Sequence, residues 1–342
     1  MKIKFIFGIM TVFLYLSACN NNEDKTKTEQ PVEEEPTSAV VEEEKAVYPL
    51  TGIEAEAEIN QRAVAVMINN HPDARPQSGL HKADIVYEVL AEGNITRFLA
   101  IFHSEIPDII GPVRSARDYY VDLSKGFNAL YISHGWSPDA REKLESGEVD
   151  FLNGLFYDGT LFWRADHRKA PHNSYISAEN IAKGAEAENI SLNEDVEPFK
   201  FLTKEELDSL QGESAKKVVI KYDNSPTWQA TYEYNQEEQN YTRYSANEQT
   251  VDLESEEPII LDNILVVEMQ HEVIDNAGRR GIDLTSGGKA ILLQKGIAEE
   301  VHWENQDGRI IPVANGESIE FVPGKSWINV VPNIENAYSD HS

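Results

Sequence analysis

Between Lys216 and Val331 the sequence passes through eight stretches that read as strands and none that reads as a helix. They are KKVVIKYD (216–223), WQATYEYN (228–235), YTRYS (241–245), NILVVEMQHEVI (263–274), KAILLQKG (289–296), EEVHWEN (299–305), SIEFV (318–322) and WINVV (327–331). β-Branched and aromatic residues fill them, and turn chemistry such as Asp223-Asn-Ser-Pro226, Gly287-Gly288, Gln306-Asp-Gly308 and Pro323-Gly-Lys325 separates them. The chain is therefore expected to end in a smaller, mostly antiparallel all-β domain over residues 213–342, hinged near Gln211–Ser214.

The preceding part reads differently. Arg62–Asn69, Ile85–Leu90, Ile95–His103, Ala129–Ser133 and Leu161–Arg164 read as strands. In Ile95–His103, Thr96, Phe98, Ala100 and Phe102 face one way and Arg97, Leu99, Ile101 and His103 the other. Helices interleave with these strands: Tyr119–Phe127, one opened by Ser137-Pro138, Ser177–Glu188, and a short one opened by the capping box at Thr203–Glu206. Interleaving of this kind predicts an α/β domain with a mixed sheet over residues 47–212.

The N-terminus is an address. Lys2 and Lys4 precede an apolar run, Phe5–Leu16, too short to span a bilayer as a relaxed helix but suited to a signal peptide. Leu16-Ser17-Ala18-Cys19 closes it and resembles a bacterial lipobox, with Cys19, the chain's single cysteine, as the thiol that accepts diacylglycerol. Residues 1–19 are thus expected to be a lipoprotein signal. Residues 20–46, acidic and without aromatics, are expected to be a disordered stalk between a lipid anchor and the folded part. The protein is placed at the extracytoplasmic face of the cell membrane. A lone cysteine leaves no disulfide framework and no cysteine-based zinc site.

Charge narrows the function further. The net charge is −29, which argues against nucleic acid as a partner. The excess is uneven: residues 62–172 carry 12 Lys+Arg against 15 Asp+Glu, and residues 173–342 carry 13 against 32. Six of the nine histidines lie in the nearly neutral stretch.

Candidate binding residues cluster there. Arg114, Ser115 and Arg117 follow a Gly-Pro turn and precede a helix, an arrangement suited to an anion because arginine presents a planar fork of donors. The alternative is that these arginines pair with local acids such as Glu88, Glu92 and Asp118. Arg97 interrupts an apolar strand and needs a partner, either Glu88 or a bound anion. His134 ends a strand, where α/β sheets place functional groups, and Ser137 after it reads as a helix cap rather than a nucleophile. Arg168, His172 and Asn173 sit in a polar loop, and His172 can act as a donor or as an acid or base. Asp166, His167 and His172 have unspecific spacing for a metal, and the neighbouring Arg168 and Lys169 oppose a cation, so no metal is expected. Asn69 begins a turn-rich loop at the same edge. No dinucleotide, phosphate-loop or hydrolase signature occurs, so no cofactor is expected and no catalytic residue stands out. Trp228 and Trp303 can stack on a sugar if exposed, but core packing explains large β-formers more simply.

Val66-Met-Ile-Asn-Asn70, Arg75-Pro-Gln-Ser-Gly-Leu80, Ala83-Asp-Ile-Val-Tyr-Glu88, Ile95–Ala100, Ile110–Arg117 and Ala170-Pro-His-Asn173 together resemble the YerB-like lipoprotein family of Firmicutes. Gly324-Lys-Ser-Trp-Ile328 resembles its separate C-terminal domain. His134-Gly-Trp-Ser137 departs from a more glycine-rich stretch of that family. The resemblance implies a membrane-anchored extracytoplasmic protein of unknown biochemical activity, with a link to cell-envelope or peptidoglycan assembly. It supplies no catalytic residues.

Three readings follow from the sequence. The first is a non-catalytic binding or scaffold protein whose arginines hold an anionic envelope ligand. The second is a hydrolase or transferase acting on an envelope phosphodiester or glycan, with His172 or His134 as acid or base. The third is a pure adaptor for peptidoglycan-synthesis proteins.

Overall fold

Most of the strands join one sheet that ignores the expected boundary. The computed structural model describes residues 46–55 and 59–340. The signal peptide, Cys19 and the stalk up to residue 45 lie outside them. Along the first half the elements are β1 (Val64–Asn69), β2 (Ile85–Glu92), β3 (Ile95–Phe102), α1 (Asp118–Lys125), β4 (Leu130–Ser133), α2 (Pro138–Glu145), β5 (Phe151–Asn153), α3 (Gly154–Tyr157), β6 (Phe162–Arg164), β7 (Ser174–Ile176), α4 (Ala178–Glu188) and α5 (Lys204–Leu207). The second half holds β8 (Glu213–Ser214), β9 (Lys217–Lys221), β10 (Gln229–Asn235), β11 (Asn240–Ser245), β12 (Glu248–Gln249), β13 (Ile260–Leu261), β14 (Asn263–Glu268), β15 (His271–Val273), β16 (Arg280–Ile282), β17 (Gly288–Gln294), β18 (Ile297–Gln306), β19 (Arg309–Ala314), β20 (Glu317–Ser318), β21 (Ser326–Val331), α6 (Ile334–Ala337) and β22 (Tyr338–Asp340).

The first half has a mixed sheet with helices, and the second is mostly antiparallel, as the sequence pattern indicates. The expected hinge is different in the structure. β21 lies between β2 and β14, parallel to both, so a 12-stranded sheet runs β20-β19-β18-β17-β14-β21-β2-β3-β1-β4-β5 with β8 on β18. Residues Lys45–Ser342 accordingly form one compact unit. The Gln211–Ser214 stretch is not free, because β8 is hydrogen-bonded to β18. All six residues of SWINVV in β21 are buried, the pattern of a parallel strand covered on both faces.

The two faces of the sheet carry two cores. Phe98, Ala100 and Phe102 of β3 point into one, with Trp327 and the second sheet β12-β11-β10-β9-β22. Leu99 and Ile101 point into the other, with Tyr119, Tyr120 and Leu123 of α1. This is the alternation read from the sequence. The helix starts also match: the Ser137 side chain accepts from Ala140 N–H, the Ser177 side chain from Asn180 N–H, and Thr203 with Glu206 forms the capping box. Strand readings change as well: of SIEFV (318–322) only Ser318 lies in a strand, β20. The run 263–274 breaks after Glu268, and β15 pairs with β16 in a separate ribbon. β19 contains Pro312, which argues against a strand in sequence; here it pairs with Trp303 one strand from the sheet's edge, where a missing N–H is tolerated. Trp303 and Trp327 are core residues, and each gives its indole N–H to an internal acceptor.

Candidate functional site

Three strand ends meet at one edge of the long sheet. β1, β4 and β5 are parallel, so Asn69, Ser133 and Asn153 end side by side. β3 runs the other way, which sets Arg97 opposite Asn69. Ligands of α/β sheets collect at this edge. The segment 110–117 crosses it: Val113 bridges Ile68, Arg114 N–H donates to Met67 O at 2.8 Å, and His134 N–H donates to Arg114 O at 3.0 Å. Ser174 closes the far side by accepting from Val113 N–H at 2.6 Å.

The three predicted arginines separate into two kinds. Arg97 is 3% exposed. It gives one nitrogen to both Glu92 oxygens at 2.8 Å and another to Ser115 O at 2.6 Å. Arg117 is also buried and pairs with the same Glu92 carboxylate, while donating to Ala116 O at 2.6 Å. Both are held by the protein rather than turned to a ligand. Two cations that deep need a carboxylate, and Glu92 serves both. Arg114 differs. It is half-buried, and among the described residues its guanidinium has no hydrogen-bond or ion-pair partner. Burial first, then the charge of Arg97, pushes it down to about 10. An unpaired, partly desolvated cation of this kind is what an anion site requires.

Two histidines flank Arg114 and do different jobs. His134 has both nitrogens engaged: Arg164 donates to Nε2 at 2.8 Å, so Nδ1 carries the proton and donates to Ser174 Oγ at 2.7 Å. Burial, then Arg164, and also Arg114, lower its pKa and keep it neutral. His134 therefore bridges loops instead of offering a free nitrogen to a ligand. His172 stacks on His71 with ring centroids 4.5 Å apart. Asn69 fixes its tautomer. Asn69 Oδ1 accepts from His71 N–H at 3.0 Å, so its amide N–H is what faces His172 Nδ1 at 2.8 Å. His172 then carries its proton on Nε2, which is left to donate. Burial, then His71, then Arg114 lower its pKa.

The other predicted residues hold the frame. Ser115 Oγ donates to His134 O at 3.0 Å. Arg168 clamps the loop after β1 through the carbonyls of Asp73, Arg75 and Pro76, and donates to Tyr175 Oη. Asn173 Oδ1 accepts from Arg164 at 3.4 Å. Glu88 is 2% exposed and lies deep in the sheet, paired with Arg243 at 2.8 Å, so it is a core residue and not a ligand contact. Sequence reading missed His71, Arg164 and Asp158. Arg164 pairs with Asp158 at 2.9 Å and steers His134, and no local pattern links Arg164, in the separate β6–β7 ribbon, to the end of β4 thirty positions earlier. Asp166 and His167 are exposed. His71, Asp73 and His172 instead bring ligand-type atoms within 4.8 Å of one another. Both imidazole Nδ1 atoms there already accept N–H groups, His71 from Asp73 and His172 from Asn69, and Arg114 adds positive charge. The cluster is arranged to donate hydrogen bonds more than to take a cation.

Two outcomes follow. A Cβ on Gly154 would collide with the His134 ring at Nδ1. Gly154→Ala should cost about 1–3 kcal/mol of stability and displace the His134 ring, visible in its imidazole NMR resonances. The pH dependence has a definite sign. His134 and His172 titrate below the ordinary value of 6.5 when folded. The unfolded chain then binds protons more readily, so their contribution is complete above 6.5 and is lost as pH falls through the folded values. The raised carboxyls Asp84 and Asp118 work the other way at more acid pH. Urea midpoints should drop from pH 7.5 to pH 5.5, and His134→Asn should flatten that slope.

No helix among the described residues is long and apolar enough to cross a membrane. Residues 50–191 match the family model described as the N-terminal domain of a protein of unknown function (DUF3048), and residues 218–328 match its C-terminal domain. The chain is 50% identical over 291 residues to the protein of Bacillus subtilis (strain 168) named "Putative lipoprotein YerB", covering 84% of this chain and 87% of that one. The crystal structure of YerB protein from Bacillus subtilis superimposes with a TM-score of 0.81 at 48% identity, over 86% of this chain and 100% of that chain.

Proposed function

Because the chain belongs to the DUF3048 family, with a lipoprotein-named relative of unknown function, we propose that it is a lipid-anchored binding protein of the cell envelope whose Arg114 holds an anionic group. The anchor is a diacylglycerol on Cys19, the folded part stands on the extracytoplasmic side, and the ligand is a phosphate- or carboxylate-bearing envelope molecule. The observation that carries this reading is the half-buried Arg114 guanidinium without a partner, next to an imidazole whose Nε2–H is left to donate. Arg97 and Arg117 support it indirectly by shaping the segment that carries Arg114. A scaffold role toward peptidoglycan-synthesis proteins is compatible with such a site. The hydrolase or transferase reading has less support, since both nitrogens of His134 are engaged.

The test separates binding from folding. The folded unit is assayed as residues 45–342, one compact unit; the relative's solved chain aligns in full with 86% of this chain. Inorganic phosphate and diphosphate are titrated against wild type and Arg114→Met, and thermal unfolding is followed. At one hundred times the dissociation constant the anion should stabilise wild type by about 2.7 kcal/mol. Arg114→Met should lose that response and, without anion, be more stable by about 1 kcal/mol, because an unpaired cation is replaced by a chain of similar length. If Arg114→Met is markedly less stable, Arg114 is structural and the proposed site is wrong.

A further inference from the structure

A pocket of about 390 Å³ lies where the loop after β1 meets the C-terminal half, with Arg75 and Gln77 on one side and Thr227, Ser245, Glu248 and Thr250 on the other. Its volume is in the range of small-molecule sites, about 300–1,000 Å³. Three polar groups there are unspent. Gln77 is 1% exposed; its amide nitrogen donates to Asn69 O at 3.0 Å, yet its Oε1 is buried with no donor among the described residues. Such an orphan acceptor is unfavourable until a donor reaches it. Arg75 spends one N–H on Asn70 Oδ1, one on Asn70 O, and a long one of 3.5 Å on Thr227 O. Two of its N–H groups remain, and no carboxylate among the described residues is within ion-pair distance of it. Ser245 Oγ accepts from Arg243 at 2.6 Å and from Thr250 at 3.4 Å, so its own proton is available.

We propose that this pocket binds a small molecule in which a carboxylate stands beside an N–H donor, as at the carboxyl end of a short peptide. The carboxylate meets Arg75 and the Ser245 hydroxyl, and the neighbouring N–H meets Gln77 Oε1. A fully ionised phosphate group has no donor to offer Gln77 Oε1, whereas a peptide carboxyl end has its N–H beside the charge. The pocket does not depend on Arg114, although both sites border the loop after β1.

The experiment uses ¹⁵N-labelled residues 45–342 and three probes: N-acetyl-glycyl-alanine, its carboxamide, and inorganic phosphate. The dipeptide should shift the Gln77, Ser245 and Thr250 amide resonances saturably, and the carboxamide should bind about tenfold more weakly for want of the charged hydrogen bonds. Gln77→Met, which keeps the volume but removes the acceptor together with the N–H given to Asn69 O, should weaken the dipeptide by a similar factor. Arg114→Met should leave dipeptide binding unchanged. Arg75 also ties its loop to Asn70, so Gln77→Met with an unaltered amide spectrum elsewhere is the decisive variant. No saturable shift, equal affinity for acid and carboxamide, or displacement of the dipeptide by phosphate at these residues would overturn the proposal.

Discussion

Glu88→Ala should destabilise the protein by about 3–5 kcal/mol, because it leaves the Arg243 guanidinium buried and uncompensated. Arg243 is 1% exposed and Glu88 2%, with 2.8 Å between them. The carboxylate has four partners. Oε2 accepts from Arg243 and from the Trp327 indole at 3.1 Å, and Oε1 from Thr96 Oγ1 at 2.9 Å and Asn70 Nδ2 at 3.2 Å. Arg243 lies over the Trp327 ring at 4.4 Å and donates to Ser245 and Thr250. Burial, the largest single influence, would lower its pKa, but Glu88 and Tyr232 together hold it above the ordinary value. The pair joins a strand of the first half, β2, to one of the second, β11. Urea unfolding of Glu88→Ala and of Glu88→Leu/Arg243→Met decides the matter. The double variant, which removes both charges, should recover most of the loss. A Glu88→Ala cost under about 1 kcal/mol would mean that Arg243 finds water or another acid, and the core assignment would fail.

Glu92→Ala is expected to have the second largest effect, about 3 kcal/mol, since one substitution strands two buried arginines. Glu92 is more accessible than Glu88, at 27% for its side chain, so water can reach part of the gap and the loss should be smaller. Arg97 and Arg117 would then repel each other beside Ser115 O and Ala116 O. Adding Arg117→Met to Glu92→Ala should restore part of the stability, read as a rise in the thermal midpoint. If the single variant melts with wild type, Arg97 and Arg117 are not held by Glu92.

These two acids also mark how far the sequence could be read. The β3 alternation, the serine caps and the strand-rich second half were legible because each is local, set by a period of two or by three consecutive positions. The pairing of Arg117 with Glu92 was one of the alternatives the sequence left open, whereas Arg97 was expected to meet Glu88 or an anion and the β2–β3 turn instead sets it beside Glu92. Arg243 was invisible. It sits on a strand of alternating polarity, YTRYS, and its partner is 155 positions away. The parallel insertion of β21 between β2 and β14 was equally hidden, because a buried strand looks the same whichever neighbours it takes. Within the candidate site, Arg114 could not be told from Arg117 by sequence. They lie three positions apart, and only the side chain's environment distinguishes a paired guanidinium from a free one. His71 was passed over because its contact with His172 depends on two loops meeting.

The shared sheet has a bearing on how this chain can be cut. The two family segments look like separable modules in sequence, with 26 residues between their matched ranges. Severing the chain there would not give two domains. It would strip β21 from the β2 edge and leave two long, flat, apolar strands with open backbone groups, the kind of surface that recruits other chains. Each half is thus the other's chaperone, and during synthesis β2 waits for a strand made some 230 residues later. Such a wait favours keeping the first half soluble meanwhile, and gives a second use to the acidic residues 20–46 made before it, because residues 62–172 are themselves nearly neutral.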